Sequence, residues 1–190
     1  MRRVVFRLLL FGACALAAKP AASAAKRVVS AMEARALWQA ARASDRAMPE
    51  PGEPALWLAI PAVKFGLPAL QGVTEERLSR LPCVVAWPDR GDARLTVILA
   101  HRDTHFRPLE RLRKGSTVTI TRRDGSRRDY RIAAIDILDP EAAQRKIRAH
   151  LDRDELALMT CYPFRYIGPA PQRIVFWASV SSVTLSGKQP

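Results

Sequence analysis

The chain is poor in the residues that staple or ligate small proteins, with 3 Cys and 3 His in 190 residues. Three thiols (Cys14, Cys83, Cys161) cannot all pair within one chain, which excludes a disulfide scaffold. With His101, His105 and His150 they remain too scattered to supply a structural zinc site, so no metal is expected. Acidic residues are few, 18 Asp plus Glu against 31 Lys plus Arg, for a net charge of +13. The uncharged run near the N-terminus, Leu8 to Ala18, has only eleven residues, fewer than the ~20 that span a bilayer as a helix. No internal repeat is visible. What remains is 48% hydrophobic and 26% charged, a globular composition in a chain long enough for one domain.

The position of the charge limits what it means. Residues 1–50 carry 9 basic and 3 acidic groups, and residues 51–190 carry 22 and 15. Nearly half the excess therefore lies outside the body of the chain. Arg outnumbers Lys 25 to 6, a bias that a GC-rich genome produces unaided. A basic surface attracts nucleic acid, peptidoglycan or anionic headgroups alike, so charge alone selects no partner. No nucleic-acid partner is expected.

The N-terminus reads as an export signal. Met1 to Arg7 is a basic start, Leu8 to Ala18 an apolar core, and Ser23-Ala24-Ala25 a small-residue cleavage site. Two readings stay open for residues 1–25, a cleaved signal peptide or an anchor in which Val4 to Ala18 spans while Arg7 and Lys19 snorkel. Both place the body of the protein outside the cytoplasm, at the cytoplasmic membrane, with the Arg-rich end inside. Cys14 reads as an apolar filler of that segment.

Ser30 to Ala47 has the period of an amphipathic helix, with Met32, Ala36, Leu37 and Ala40 as its apolar stripe. Met48-Pro-Glu-Pro-Gly-Glu-Pro54 breaks it, because each Pro removes a donor and biases the preceding residue out of helix. Residues 26–54 thus read as a helical stalk and linker, and 55–190 as the domain proper. Beyond Pro54 the pattern turns to short β-rich runs: Leu56–Ile60, Val63–Leu67, Cys83–Ala86, Leu95–Ala100, Thr117–Thr121, Arg128–Leu138, Leu156–Thr160 and Ile174–Val183. Arg123-Asp-Gly-Ser126 marks a hairpin between the fifth and sixth. Thr74 to Arg77 and Pro140 to Ala149 read as short capped helices. The fold class is mainly β, with eight strands closing into a barrel.

Chemistry concentrates in three segments at strand edges: Ala100-His-Arg-Asp-Thr-His-Phe106, Leu158-Met-Thr-Cys-Tyr-Pro-Phe164 and Pro171-Gln-Arg-Ile-Val-Phe-Trp-Ala178. They supply a thiol nucleophile in Cys161, a proton-shuttling imidazole in His101 and an oxyanion-stabilising guanidinium in Arg173. These are the parts for acyl transfer. Arg165 competes with Arg173 but lies inside the loop after Cys161. Cys83 reads as a small buried hydrophobe. His105, four residues after His101, has helical metal-pair spacing, yet Pro108 places it in a loop. His150 reads as a surface residue at a helix end, and Arg122, Arg123, Arg127 and Arg128 as solvated groups at a hairpin tip.

These segments resemble the sortases, cysteine transpeptidases of bacterial surfaces. The family's Thr-Leu-x-Thr-Cys appears as Ala157-Leu-Met-Thr-Cys161, and its His segment, usually Gly-His, as Ala100-His-Arg-Asp-Thr-x-Phe-Arg-Pro-Leu109. Cys161-Tyr-Pro-Phe-x-Tyr-Ile-Gly-x-Ala-Pro-x-Arg173 is most similar to class D and to the related Gram-negative subfamily. With Ile60–Gly72 the resemblance spans about residues 55–185. It departs at Leu81–Gly91, where relatives commonly carry a Gly- and Pro-rich stretch.

The resemblance implies Cys161 as nucleophile, His101 as proton donor, Arg173 as oxyanion partner and Thr160 as a substrate contact. It implies a partner protein with a C-terminal Leu-Pro-x-Thr-Gly-like sorting signal, a thioester intermediate, transfer to an unspecified amine or to water, and no cofactor. An L,D-transpeptidase would show Ser-x-Gly-Cys-x-Arg, which Met159-Thr-Cys-Tyr-Pro163 does not match. A non-catalytic basic module binding anionic polymers or headgroups would be indifferent to Cys161.

Overall fold

The computed structural model describes residues 29–44, 46, 48–85 and 94–181. The expected N-terminal export segment lies outside them. Among the described residues no helix is long and apolar enough to cross a membrane.

Eight strands form: β1 (Pro54–Ile60), β2 (Phe65–Gln71), β3 (Cys83–Val84), β4 (Thr96–Leu99), β5 (Thr117–Arg122), β6 (Arg127–Leu138), β7 (Glu155–Tyr162) and β8 (Gln172–Val180). They close into a barrel in the order β1-β2-β3-β4-β7-β8-β6-β5. The β2–β3 and β4–β7 pairs are parallel, while β7–β8 and the remaining neighbours are antiparallel. Three helices decorate it: α1 (Ala31–Ala43), α2 (Glu75–Arg80) and α3 (Pro140–Ala149). The mainly β, eight-stranded barrel expected from the sequence is the one observed.

Two apolar layers explain the strand sequences. Leu58, Ile60, Ile98, Leu156, Leu158 and Phe176 fill the barrel interior. Outside the wall, Ala143 and Ile147 of α3 cover Val97, Ala157, Val175 and Trp177. The β7 and β8 strands are therefore buried on both faces, so they read as continuous apolar runs, as do doubly covered strands generally. The α3 helix starts where expected: the Asp139 carboxylate accepts from Ala142 N at 2.7 Å and Pro140 occupies the first turn. The β5–β6 hairpin turns at Gly125, whose φ of 85° suits a residue without Cβ.

Several expectations shift. The second strand begins at Phe65 because Pro61–Val63 form a 3-10 turn and Lys64 is left-handed at φ 52°. Helix α1 is shorter than expected and turned about its axis. Its buried face is Ala34, Trp38 and Ala41, while Met32 of the expected stripe is 79% exposed. The side chain that decides is Trp38, whose ring lies 6.2 Å from that of Trp57. Ala34 joins Leu70, Leu81 and Cys83 in a third apolar cluster, so the segment read as a stalk lies against the barrel wall. Arg123 is not a solvated tip residue: it is largely buried and donates to Glu53 at 3.0 Å. His150 is no surface residue either, since it pairs with Glu155 at 2.9 Å and its ring packs 4.4 Å from Trp177.

Candidate active site

Strand register assembles the site. In the parallel β4–β7 pair, Thr96 faces Leu156 and Leu99 faces Met159. The Thr160 hydroxyl donates to the Ala100 carbonyl at 2.6 Å, which carries this alignment one residue beyond the ladder. Carried one residue further, the same offset makes His101 level with Cys161, two residues past the last ladder pair. Across the other edge of β7, Cys161 is the register partner of Arg173 in β8. Directly opposed residues share a face and have Cβ atoms about 5 Å apart. Three neighbouring strands thus bring His101, Cys161 and Arg173 to one end of the barrel.

The pleat decides which way they point. Alternate residues of β4, β7 and β8 divide between the two layers: Ile98, Leu158 and Phe176 face inward, while Val97, Ala157, Val175 and Trp177 face outward. Continuing that period of two puts all three candidate residues on the outer face. Arg173 lines a cleft of about 240 Å³ there with Val85, Val97, Met159 and Ile147. His101 lines a smaller cleft of about 160 Å³ with Glu75, Ser79, Asp103 and Thr104. A cleft of about 820 Å³ between α1 and α2 contains none of the three.

Each side chain has defined surroundings. Cys161 is an unpaired, part-exposed thiol. His101 Nε2 lies 3.4 Å from the Glu75 carboxylate, a neighbour that sequence reading missed. The available signal was the Thr74 cap, whose hydroxyl accepts from Arg77 N at 3.2 Å and fixes the start of α2. One guanidinium nitrogen of Arg173 donates to the carbonyls of Ala170 and Gln172, at 3.2 and 2.9 Å. Arg165 is turned out to solvent and pairs with Glu110 at 3.3 Å. The geometry therefore pairs Cys161 with Arg173 rather than Arg165. Both Cys161 and Arg173 lie inside their strands, not beyond the ends as expected, because the β7–β8 ladder runs on to Tyr162 and Gln172. Thr160, expected to contact substrate, is 3% exposed with its hydroxyl given to Ala100.

Environment separates the two described thiols. Burial pushes Cys83 up to about 11, against a weaker opposing pull from the Arg77 charge, so at neutral pH it is an inert thiol. Burial also lowers His105 below the ordinary imidazole value, outweighing its backbone hydrogen bond with Arg80. Among the described residues no group of three His, Cys, Asp or Glu side chains is placed to hold a metal ion.

A closed barrel that carries a part-exposed thiol, an imidazole and a guanidinium on neighbouring strands and the turn after one of them has the groups that thiol-based acyl transfer requires. Residues 58–181 match the family described as Sortase domain. Sortase D of Bacillus subtilis (strain 168) is 31% identical over 132 residues, covering 68% of this chain and 65% of that protein. The chain thus spans just under two thirds of that relative's length. Among solved structures, sortase C from Clostridium perfringens SM101 superposes with a TM-score of 0.57 at 18% identity, over 78% of this chain and 85% of that one. A lid mutant of sortase A from Corynebacterium diphtheriae gives 0.58 at 22% identity, covering 83% of both chains. The chain belongs to the sortase family.

Proposed function

We propose that this protein is a cysteine transpeptidase that cleaves a Leu-Pro-x-Thr-Gly-like signal near the C-terminus of a partner protein. The Cys161 thiolate attacks the Thr carbonyl carbon, and the Arg173 guanidinium stabilises the oxyanion of the tetrahedral intermediate. His101 gives its proton to the amine as the Thr–Gly C–N bond breaks, leaving a thioester on Cys161. An incoming amine, or water, then attacks that carbonyl, the C–S bond breaks, the proton returns to His101 and the thiolate is restored. A free thiol titrates near ~8.5, so a neighbouring His⁺ or Arg is needed to populate the thiolate at neutral pH. The apolar cleft beside Arg173, walled by Val85, Val97, Met159 and Ile147, is suited to an apolar side chain of the signal.

The register of Cys161 with Arg173, beside the β4–β7 pair that carries His101, is the observation that supports this reading. Its test is incubation with a library of Leu-Pro-x-Thr-Gly-type peptides and an amine acceptor. Wild-type protein should cleave and ligate, and Cys161→Ala should do neither while melting as wild type does. Cleavage by Cys161→Ala at the wild-type rate would sink the reading.

The Arg-rich start and apolar Leu8–Ala18 run support action outside the cytoplasmic membrane, with residues 1–25 as signal or anchor. A reporter that works only outside the cytoplasm, fused after residue 54, should be active. A wholly cytosolic reporter refutes export.

A further inference from the structure

The loop from Pro163 to Pro171 joins the nucleophile to its oxyanion partner, and the register of β7 with β8 fixes only its two ends. Among the described residues it makes no backbone–backbone hydrogen bond of its own. Its middle is held from elsewhere. Arg102, the residue after His101, donates from Nη2 to the carbonyls of Tyr166 at 2.9 Å and Gly168 at 3.0 Å. The same guanidinium lies 5.7 Å from the centroid of the Tyr166 ring. Between the two clasped carbonyls, Ile167 is 100% exposed. Its own side chain therefore contributes nothing to holding the loop.

We infer that Arg102 is a positioning residue for transpeptidation, stapling the His101 turn to the loop that delivers Arg173. The chain of contacts is continuous. Arg102 holds the carbonyls of Tyr166 and Gly168, and Arg173 in turn donates to those of Ala170 in the same loop and of Gln172, the first residue of β8. The clasp itself crosses between the β4 and β7 ends of the barrel, so it couples the proton donor to the oxyanion partner without touching substrate. Charge-assisted bonds of this kind are about twice as strong as neutral ones. Losing them lets Arg173 sample positions that cannot meet the oxyanion, and a small misplacement can lower turnover on the order of 10²-fold.

Gly168 offers a second way to loosen the same staple. Its φ is 90°, where an L side chain is strained, although a Cβ there would meet nothing within 4 Å. Gly168→Ala thus disturbs the clasped backbone by conformation alone, with no clash and no change of charge.

The proposal rests on the transpeptidase reading, so the experiment pairs activity with a readout that needs none. Arg102→Met, Gly168→Ala and the double variant are compared in the full chain. For turnover, each single variant should lose roughly tenfold or more in kcat with KM little changed, and the double should lose no more than the worse single. For the thiol, the pH profile of Cys161 alkylation by iodoacetamide, read by peptide mass, should move to higher pH in both single variants. The groups nearest that thiol by register are Arg173 of β8 and, two residues past the β4–β7 ladder, His101, whose cleft Glu75 of α2 and Asp103 also line; Gly168→Ala keeps every one of these charges, so a shift there reports displacement of Arg173 rather than loss of a charge. Melting curves establish that each variant is folded. Wild-type kcat and alkylation profile in folded Arg102→Met overturn the inference, as does full additivity of the two changes. If wild-type protein cleaves no sorting peptide, the transpeptidase reading fails, and the alkylation profiles alone decide whether Arg102 positions the site.

Discussion

Among single side chains, Arg173 and Arg165 pose the sharpest contrast. Both lie within a dozen residues of the nucleophile, but one is the strand partner of Cys161 and the other is paired to Glu110 in solvent. If the Arg173 guanidinium meets charge that develops only in the transition state, Arg173→Ala should lower kcat far more than it raises KM. Removing one such donor typically costs about 10²-fold or more. Lys at that position should rescue poorly, since an ammonium does not reproduce the planar fork. Arg165→Ala should stay within a few-fold of wild type in the same assay. A crippled Arg165→Ala beside an active Arg173→Ala would reassign the oxyanion partner and leave Cys161 and His101 in place.

The two described thiols make a second contrast. Cys83 is fully buried and its thiol is pushed up to about 11, whereas Cys161 is part-exposed. Iodoacetamide at mildly alkaline pH should label Cys161 in native protein and reach Cys83 only after denaturation, because the thiolate is the reactive species. Peptide mass mapping reads both sites at once. Equal labelling of the two in native protein would contradict the burial assigned to Cys83.

Among the elements, α1 is the one whose packing sequence periodicity misassigned. Its contact with the barrel rests on Trp38 against Trp57 and on Ala34 beside Leu70 and Cys83. Trp38→Ala should therefore destabilise by about 3 kcal/mol, as large-to-small changes at well-packed aromatic sites do. Met32→Ala, on the solvent face, should change stability by no more than about 0.5 kcal/mol. Urea titrations of the two variants check this. The opposite order would mean that the Met32–Ala40 stripe is the packed face after all.

For the molecule as a whole, the coupling between α3 and the barrel makes stability depend on pH. Asp136 in β6 accepts from Lys146 of α3 at 2.6 Å and from Trp177 Nε1 of β8 at 2.7 Å. Burial pulls this carboxyl up, but the hydrogen bonds from Lys146 and Trp177, with the Lys146 charge, outweigh it and hold it below the ordinary value. A carboxylate depressed in the folded state stabilises fully above its unfolded value near ~3.9, and that contribution is lost as pH falls through the folded one. Melting temperature should thus drop below about pH 4 in wild type. Asp136→Asn should be less stable at neutral pH and show a shallower acid drop. An unchanged acid limb in that variant would remove Asp136 from the account.

Much of this was legible in the chain itself, and the reasons are local. Strands with one solvated face, such as β1, announce themselves by alternation, and Asp124-Gly125 announces a hairpin, because pleat and turn geometry act over a few residues. Asp139-Pro140 announces a helix start for the same reason. Cys161, His101 and Arg173 were legible because each ends or opens an apolar run that a barrel must bury. Their mutual placement was not, since it depends on β4 lying parallel to β7 and β8 antiparallel to it, pairings set by closure of the whole barrel. The buried face of α1 was equally hidden, because Trp57, the surface it packs on, lies beyond a Pro-rich break. Glu75 beside His101, and Arg102 across to Tyr166 and Gly168, join residues 26 and more than 60 positions apart. Such contacts leave no periodicity to read, and only the folded barrel brings them within hydrogen-bonding reach.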